Sequence, residues 1–590
     1  MFEKRAKILF ILFFILSGIT LYFLFERMVL ERKEFLRTPY VDRPFVGLME
    51  SLVAESVFRI DGEQIVIDEN ALSNRHLKQR TEKRVRNSLP LLYIKDGRVC
   101  FDKQSFSIVN SGPSDEEIVL RGKFIDRNGV VLARSDISRN SWRQERKYTY
   151  GPEFYPIIGH SNPVFGKRNL EKALDLYLMG KKHAPLYSAT SDPLRPVKIG
   201  DDVILTVDSR IQRCAYCLMQ GKRGAVVVLD VKRGDILAAV STPSLDPNTG
   251  SGSGWRAAFM DERERPFENR AFSVLYPPGS TFKTVVVSAW LEKRDAMDSS
   301  YSIVCTGSEN RFGISDIHVH GRVGLAKAFA ESCNLFFSGI GVKLGRDILD
   351  YAERFGFNRT ITLLPRMENL SYSPEISRAF SWPGSKKEKN VIKTYSDIDF
   401  RRNPKIVAQA AIGQNLITAT PLQLAIIVSG IANKGLPMNP SIIKEIRTGN
   451  GAQVVFTAEP VAMGRAIKET TASEVKRLME EVMENGTGKN VKKIYCEDGR
   501  YTTCPKDKKA AVKIGVAGKT GTAEVGDRNR NGQIDPDEKP HSWFIGFAPA
   551  DNPKVAIAVI AENQGFGSLT AAPIAMDVIA EALNQGGPGR

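Results

Sequence analysis

The sequence predicts an α+β protein: an antiparallel sheet flanked by helices, standing behind a membrane-spanning helix and a small β-rich region. Three observations carry this expectation. Residues Ile8 to Phe25 run ILFILFFILSGITLYFLF without a charge, about the minimum length for a helix that crosses a bilayer. Before residue 140, three segments alternate apolar and polar residues around an Asp-Gly or Asn-Gly pair, the strongest short-range hairpin signal. After residue 200, strand-like runs lie at both ends of a long helical middle, the pattern of a sheet closed by terminal segments.

At 590 residues the chain exceeds what one core holds, and two or three domains are expected. Lys4, Arg5 and Lys7 precede the apolar run, and no small-x-small cleavage site intervenes before Glu26 and Arg27. This favours an uncleaved anchor over a cleaved signal peptide. The positive-inside rule then keeps residues 1–25 as a cytoplasmic tip and single span, with everything after about residue 26 periplasmic or extracellular. Residues 26–119 read as a small β-rich module, because VFRIDGEQIVI (Val57 to Ile67) and LYIKDGRVCF (Leu92 to Phe101) are hairpins by pattern. LRGKFIDRNGVVLARS (Leu120 to Ser135) repeats strand, turn and strand. NLEKALDLYLMG (Asn169 to Gly180) reads as one amphipathic helix ending on glycine, and His183 to Gly200 as a proline-containing linker. Residues 120–199 thus form a pedestal and linker, and residues 200–590 the main domain. There, GAVVVLDVKRGDILAAVS is a buried hairpin, TFKTVVVSAWLEK and TPLQLAIIVSGIANKG are helices, HSWFIGFAP and KVAIAVIAEN are strands, and AAPIAMDVIAEAL closes the chain as a helix.

The formal charge of +16 does not argue for nucleic acid in an exported chain, which meets anionic lipid and wall polymers instead. The basic stretch NRHLKQRTEKRVR (Asn74 to Arg86) reads as a solvated face, with contact to the membrane surface as the alternative. Seven cysteines cannot all pair internally. Cys496 and Cys504 flank the polar loop EDGRYTT on the oxidising side, and a disulfide is expected there. Cys214 and Cys217 form a CxxC on a helix without nearby histidines and read as buried free thiols. His318 and His320 in DIHVHG find no third ligand at suitable spacing and read as a strand with two polar side chains.

The chemistry lies in three short motifs. Ser280 and Lys283 in YPPGSTFKTVV are three apart at a helix start, on one face. A serine hydroxyl becomes nucleophilic when a base takes its proton, and lysine is that base only where burial or a nearby cation lowers its pKa. Ser332 and Asn334 follow in AESCNLFF, then Lys519, Thr520, Gly521 and Thr522 in AGKTGTAE. The order SxxK, SxN, KTG is far more specific than any one motif. With RGKFIDRNG, GDDVILTVDSRIQ, NRAFSVLYPPGSTFK and GQNLITATPLQLA, the chain from about residue 120 to 585 resembles a class B penicillin-binding protein, a membrane-anchored peptidoglycan transpeptidase with a fold shared with serine β-lactamases.

The resemblance implies a peptidoglycan D,D-transpeptidase of the cytoplasmic (inner) membrane, without a required cofactor, that is acylated by β-lactams. Ser280 would attack the penultimate D-alanine carbonyl of a stem pentapeptide and release D-alanine. Lys283 would take the serine proton, and Ser332 would pass it towards the leaving amine. Asn334 would hold the peptide amide and Lys283. Lys519, Thr520 and Thr522 would grip the terminal carboxylate, and Gly521 would leave room for the serine. Backbone N–H groups of Ser280 and Thr522 would form the oxyanion hole. A membrane glycosyltransferase of the wall-synthesis machinery is the implied partner, in elongation, septation or sporulation alike. No segment resembles a glycosyltransferase domain, which disfavours a bifunctional class A protein. The competing readings are a β-lactamase-like hydrolase, which would shed bound penicillin quickly, and a non-catalytic penicillin-binding scaffold.

Two departures stand out: the β-rich module before Arg121, and an expanded Arg366 to Pro404 containing SWPGSKKEKN. A third feature follows the KTG strand. In GDRNRNGQIDPDE, oxygen ligands fall at Asp527, Asn529, Asn531, the Gln533 carbonyl, Asp535 and Glu538, with Gly532 at the turn, the twelve-residue calcium pattern. A structural Ca²⁺ at a hairpin tip is one expectation, and a metal-free polar turn is the other.

Overall fold

The computed structural model describes four strands before residue 119 and the chain from 119 to 584, except residues 138–143, 163–164, 183–185, 188–196, 250–252, 262, 294–299, 368–369, 371, 373–377, 380–402 and 526–534. The expected anchor at Ile8–Phe25, the basic stretch at Asn74–Arg86 and most of the Arg366–Pro404 expansion lie outside the described residues. Among the described residues no helix is long and apolar enough to cross a membrane. The chain divides into two compact units: residues 1–118 with 160–167 and 192–196, and residues 119–159 with 168–191 and 197–590.

In the first unit, Phe58–Asp61, Gln64–Ile67, Leu92–Lys95 and Arg98–Asp102 form one antiparallel sheet. Asp61 pairs with Gln64 and Lys95 with Arg98. Two residues therefore separate the paired strand ends in each hairpin, the spacing of the commonest hairpins.

The second unit is built on a five-stranded antiparallel sheet. In chain order its main elements are α1 (Ser209–Leu218), β1 (Gly224–Asp230), β2 (Ile236–Thr242), α2 (Lys283–Glu292), α3 (Asn334–Leu344), α4 (Pro421–Ala432), α5 (Glu469–Glu484), β3 (Ala517–Ala523), β4 (His541–Ala548), β5 (Val555–Ala561) and α6 (Ala571–Leu583). The strand order is β2-β1-β5-β4-β3, so segments from both ends of the domain close one sheet, as its sequence pattern implies. Alternation sorts the side chains into two cores. Ala225, Val227 and Leu229 of β1 with Ala556, Ala558 and Ile560 of β5 join the core that holds α2 and α4. Val226, Val228, Ile557 and Val559 join the core of α1 and α6. Each valine or isoleucine buried this way contributes about 1.5–3 kcal/mol. Both α2 and α4 are buried on nearly every side, which explains why their sequences are apolar all round.

A six-stranded sheet joins the pedestal to the main domain. Phe124–Ile125 runs parallel to Asp202–Leu205, which pairs antiparallel with Ile443–Arg447. The expected boundary at residues 199/200 thus falls on a stretch bonded to both sides. The RGKFIDRNG motif makes this junction. Buried Arg121 donates to the Glu171 carboxylate (Nε–Oε2, 2.6 Å) and pairs with Asp175, while Arg146 donates to the other Glu171 oxygen at 2.7 Å. A Cβ on Gly122 would stand 1.7 Å from the Asp201 carbonyl oxygen, so only glycine fits. Asp126 closes the Asn-Gly turn by accepting from Asn128 N and Val130 N (both 2.8 Å) and also accepts from Ser209 Oγ at 2.7 Å, tying the hairpin to the start of α1.

Several expectations need correction. The helix expected over Asn169–Gly180 breaks at Leu174 into Asn169–Ala173 and Asp175–Leu178; Leu170, Leu174 and Leu178 still bury on one side. Within the expected linker, Leu186–Tyr187 pairs with Lys198–Ile199 as a short ribbon. Cys214, Cys217, Cys305, Cys333, Cys496 and Cys504 are free. EDGRYTT is a tight hairpin in which Cys496 faces Tyr501. Cys504 lies three residues further along, past the strand end, so it is not the cross-strand neighbour a disulfide needs. Cys214 is half-buried and Cys217 exposed, because α1 turns Ile211 and Ala215 inward instead.

Candidate active site

Ser280 sits in a 3-10 turn, Gly279–Phe282, that runs directly into α2 at Lys283. Three residues per turn stack positions i and i+3, which brings Ser280 and Lys283 to one side. The turn is wedged between backbones. Gly279 has φ 54°, and a Cβ there would stand 2.5 Å from Thr522 O. Its N–H donates to Gly413 O at 2.9 Å. The same packing explains Gly521: a Cβ would lie 2.7 Å from Thr281 Cγ2 and 2.9 Å from Trp543 Cβ. Glycines in GQN and KTG thus let three chain segments converge on the serine turn.

The three motifs meet at one oxygen. Lys519 Nζ donates to Ser332 Oγ at 2.8 Å, and Lys283 Nζ reaches the same atom at 3.3 Å. Lys283 also donates to Ser332 O at 2.6 Å and to Asn334 Oδ1 at 2.7 Å. Both lysines are fully buried, with Phe337 beside Lys283 at 5.3 Å and Phe329 beside Lys519 at 5.6 Å from the ring centres. Burial pushes Lys283 down to about 8, against the opposing pull of the Asp316 carboxylate. Burial, followed by the charge of Lys283, pushes Lys519 well below the ordinary lysine value.

Ser332 adopts φ 60°, a backbone costly for a residue with a side chain. It leads into α3, whose first N–H groups are held by Asp316: Asn334 N donates to Oδ1 at 2.7 Å and Leu335 N to Oδ2 at 3.0 Å. Asp316 opens the DIHVHG stretch, which was read for its histidines and not for this carboxylate, and the two phenylalanines belong to no motif. Thr520 shares a 2.6 Å bond with Thr487, another residue without a motif. The register of β3 against β4 sets Thr520 opposite Phe544, Gly521 opposite Trp543 and Thr522 opposite Ser542. Beyond the end of β3, a cavity of about 800 Å³ is lined by Arg223, Arg270, Tyr276, Glu524, His541 and Glu562 among others.

The calcium-pattern loop connects β3 to β4, whose end residues Ala523 and His541 pair. Asp527, Asn529, Asn531 and Gln533 lie outside the described residues. Of the remaining two, buried Glu538 accepts from Asp535 N at 3.2 Å. The strand expected for DIHVHG is absent at the histidines: His318 is exposed in an irregular loop, and the nearest strand begins at Gly321. His320 turns inward instead, where its Nδ1 lies 3.3 Å from Cys305 Sγ.

Comparison with known proteins agrees with this geometry. Residues 224–580 match a family model for the penicillin binding protein transpeptidase domain, and residues 121–197 match one for the penicillin binding protein A dimerisation domain. The chain is 29% identical over 504 residues to the peptidoglycan D,D-transpeptidase PbpA of Mycolicibacterium smegmatis, covering 80% of this chain and 91% of that protein. Among solved structures, the D,D-transpeptidase domain of a peptidoglycan glycosyltransferase from Eggerthella lenta superposes with a TM-score of 0.62 at 30% identity, covering 79% of this chain and 98% of that one. The ceftriaxone acyl-enzyme complex of penicillin-binding protein A from Mycobacterium tuberculosis gives 0.60 at 27% identity, with coverage of 79% and 98%.

Proposed function

The chain belongs to the penicillin-binding protein transpeptidase family, and from that membership we propose how its residues carry out the peptidoglycan D,D-transpeptidase reaction. It is a serine-type enzyme that cross-links stem peptides and is acylated by β-lactams. The observation that carries the assignment of roles is the Ser332 hydroxyl, which lies within hydrogen-bond reach of two buried lysines.

Two buried ammonium groups this close titrate as a unit, and near neutral pH their repulsion favours one shared proton. When the terminal carboxylate of the donor stem arrives, its charge draws that proton to Lys519 and leaves Lys283 neutral. Lys283 then accepts the Ser280 proton as Ser280 Oγ bonds to the carbonyl carbon of the penultimate D-alanine. Ser332 relays the proton to the departing D-alanine nitrogen, and the N–H groups of Ser280 and Thr522 hold the oxyanion. Asn334 fixes Lys283 and meets the peptide amide. Thr520 and Thr522 assist Lys519 at the carboxylate, and Gly521 keeps the serine turn against β3. An amine from a second stem then attacks the ester and completes the cross-link. The test is D-alanine release and amide product from a D-alanyl-D-alanine stem mimic. Lys283→Ala should slow acylation by about 10²–10⁴-fold, the usual worth of a positioned base; an unchanged rate removes that role.

The uncharged run Ile8–Phe25, with basic residues before it, supports a single-pass anchor with the catalytic domain outside the cytoplasm and a membrane glycosyltransferase as partner. Extraction of the full chain by alkaline carbonate without detergent contradicts the anchor. The spacing of Asp527, Asn529, Asn531, Gln533, Asp535 and Glu538 supports a weak calcium site, with an affinity of about 10⁻⁴ to 10⁻³ M as in extracellular modules. Calorimetry at millimolar calcium should detect binding that Asp527→Ala/Glu538→Ala abolishes; no difference between the two proteins makes the loop a turn only.

A further inference from the structure

The turn that follows α5 touches two of the three motif segments at once. Thr487 N donates to Ala330 O at 3.1 Å, two residues before Ser332, while Thr487 Oγ1 shares its 2.6 Å bond with Thr520 Oγ1. The turn is anchored on the last turns of α5: Gly486 N donates to Glu481 O at 3.0 Å and Gly488 N to Val482 O at 2.9 Å. A Cβ on Gly486 would stand 2.3 Å from Ala330 O, so glycine lets the turn lie directly against the segment that leads to Ser332. Thr520 is buried and Thr487 half-buried.

A hydroxyl carries one proton to donate and two lone pairs to accept with. Between Thr487 and Thr520 either hydroxyl can be the donor. A carboxylate beside Thr520 only accepts, so Thr520 turns its proton to the anion and its oxygen is left to accept from Thr487. The shared bond then has one direction: Thr487 Oγ1–H donates to Thr520 Oγ1, and Thr520 Oγ1–H donates to the carboxylate. Linked hydrogen bonds polarise and strengthen one another, and the one that ends on the carboxylate is charge-assisted. The Thr487 hydroxyl therefore gains its value only when a carboxylate is bound.

We propose that Thr487 is a positioning residue of the carboxylate site, which orients the Thr520 hydroxyl proton toward the terminal carboxylate of the donor stem or of a penicillin. Thr487 acts through Thr520. Its N–H bond to Ala330 O and its hydroxyl bond to β3 also tie the Ser332 segment to the KTG strand, beside the bond from Lys519 to Ser332. The inference rests on the carboxylate role assigned to Thr520 above.

Thr487→Val keeps the shape of the side chain and removes its hydroxyl, whereas Thr487→Ser keeps the hydroxyl. The second-order rate of acylation by fluorescent penicillin is measured in the full chain for both, for Thr520→Val and for Thr487→Val/Thr520→Val. Thr487→Val should be about three- to tenfold slower than the wild type, the usual worth of one hydrogen bond, and Thr487→Ser should match the wild type. Adding Thr487→Val to Thr520→Val should cost less than about twofold more, because the partner is already gone. A penicillin esterified at its carboxylate should acylate the wild type and Thr487→Val at equal rates, a match that general loosening of the turn would not give. An unaffected Thr487→Val, an equal loss in Thr487→Ser, losses that multiply in the double variant, or a loss as large with the ester as with the acid overturns the inference. A Thr520→Val that acylates at the wild-type rate removes instead the carboxylate role on which the inference rests.

Discussion

Lys519 donates a 2.8 Å hydrogen bond to the Ser332 hydroxyl, which joins the third motif to the second through one atom. Lys283 reaches the same oxygen at 3.3 Å, so the base, the relay and the carboxylate anchor form one charge-coupled unit.

The coupling predicts a pH profile. Lys283 acts only when neutral, and burial brings its pKa down to about 8. In the free pair that value marks loss of the one shared proton, which Lys519 needs to hold the penicillin carboxylate, so the second-order rate of acylation by a fluorescent penicillin should fall about tenfold per pH unit above 8. A profile flat from pH 6 to 9 is incompatible with one shared proton.

Gly521→Ala should separate the serine turn from β3, because the new methyl would stand 2.7 Å from Thr281 Cγ2 and 2.9 Å from Trp543 Cβ. Overpacking of this kind costs about 1–3 kcal/mol. Acylation should fall at least about tenfold, with a lowered Tm. Wild-type acylation in the variant would mean that the turn tolerates the shift.

Ser332 carries a strained backbone for the sake of its hydroxyl. Ser332→Gly should relieve about 1 kcal/mol of strain and match or exceed the wild type in Tm. Its acylation rate should nevertheless drop by about 10²-fold through loss of the relay. A variant that is both less stable and fully active would reverse this assignment.

At the pedestal, burial raises the Glu171 pKa, but Arg146 and Arg121 outweigh it and hold the carboxyl below the ordinary glutamate value. A depressed folded pKa means that the stabilisation is fully present above the unfolded value, about 4.3, and is lost as pH falls through the folded one. Arg121→Ala leaves a buried carboxylate short of one partner and should cost about 3–5 kcal/mol. Urea midpoints at pH 7 and pH 3 should show the variant's deficit shrinking in acid.

What the sequence made legible followed short-range rules. Hairpins announced themselves as Asp-Gly and Asn-Gly, the all-round apolar runs became α2 and α4, and SxxK, SxN and KTG marked residues that the fold brings together. What it hid depended on distance along the chain. Asp316 caps α3 through N–H groups 18 and 19 positions further along, and His320 meets Cys305 from 15 positions away, contacts that no local pattern marks. The ion pairs of Glu171 were hidden for a related reason: its two arginines lie 25 and 50 residues earlier.

The most direct test of the account is the intact mass of the protein after incubation with penicillin, with the adduct located by peptide mapping. The account predicts one equivalent of covalent penicillin, on Ser280 of the peptide that contains YPPGSTFK, held long enough to isolate, and no adduct in Ser280→Ala. An adduct on another residue, or one that survives in Ser280→Ala, would contradict it.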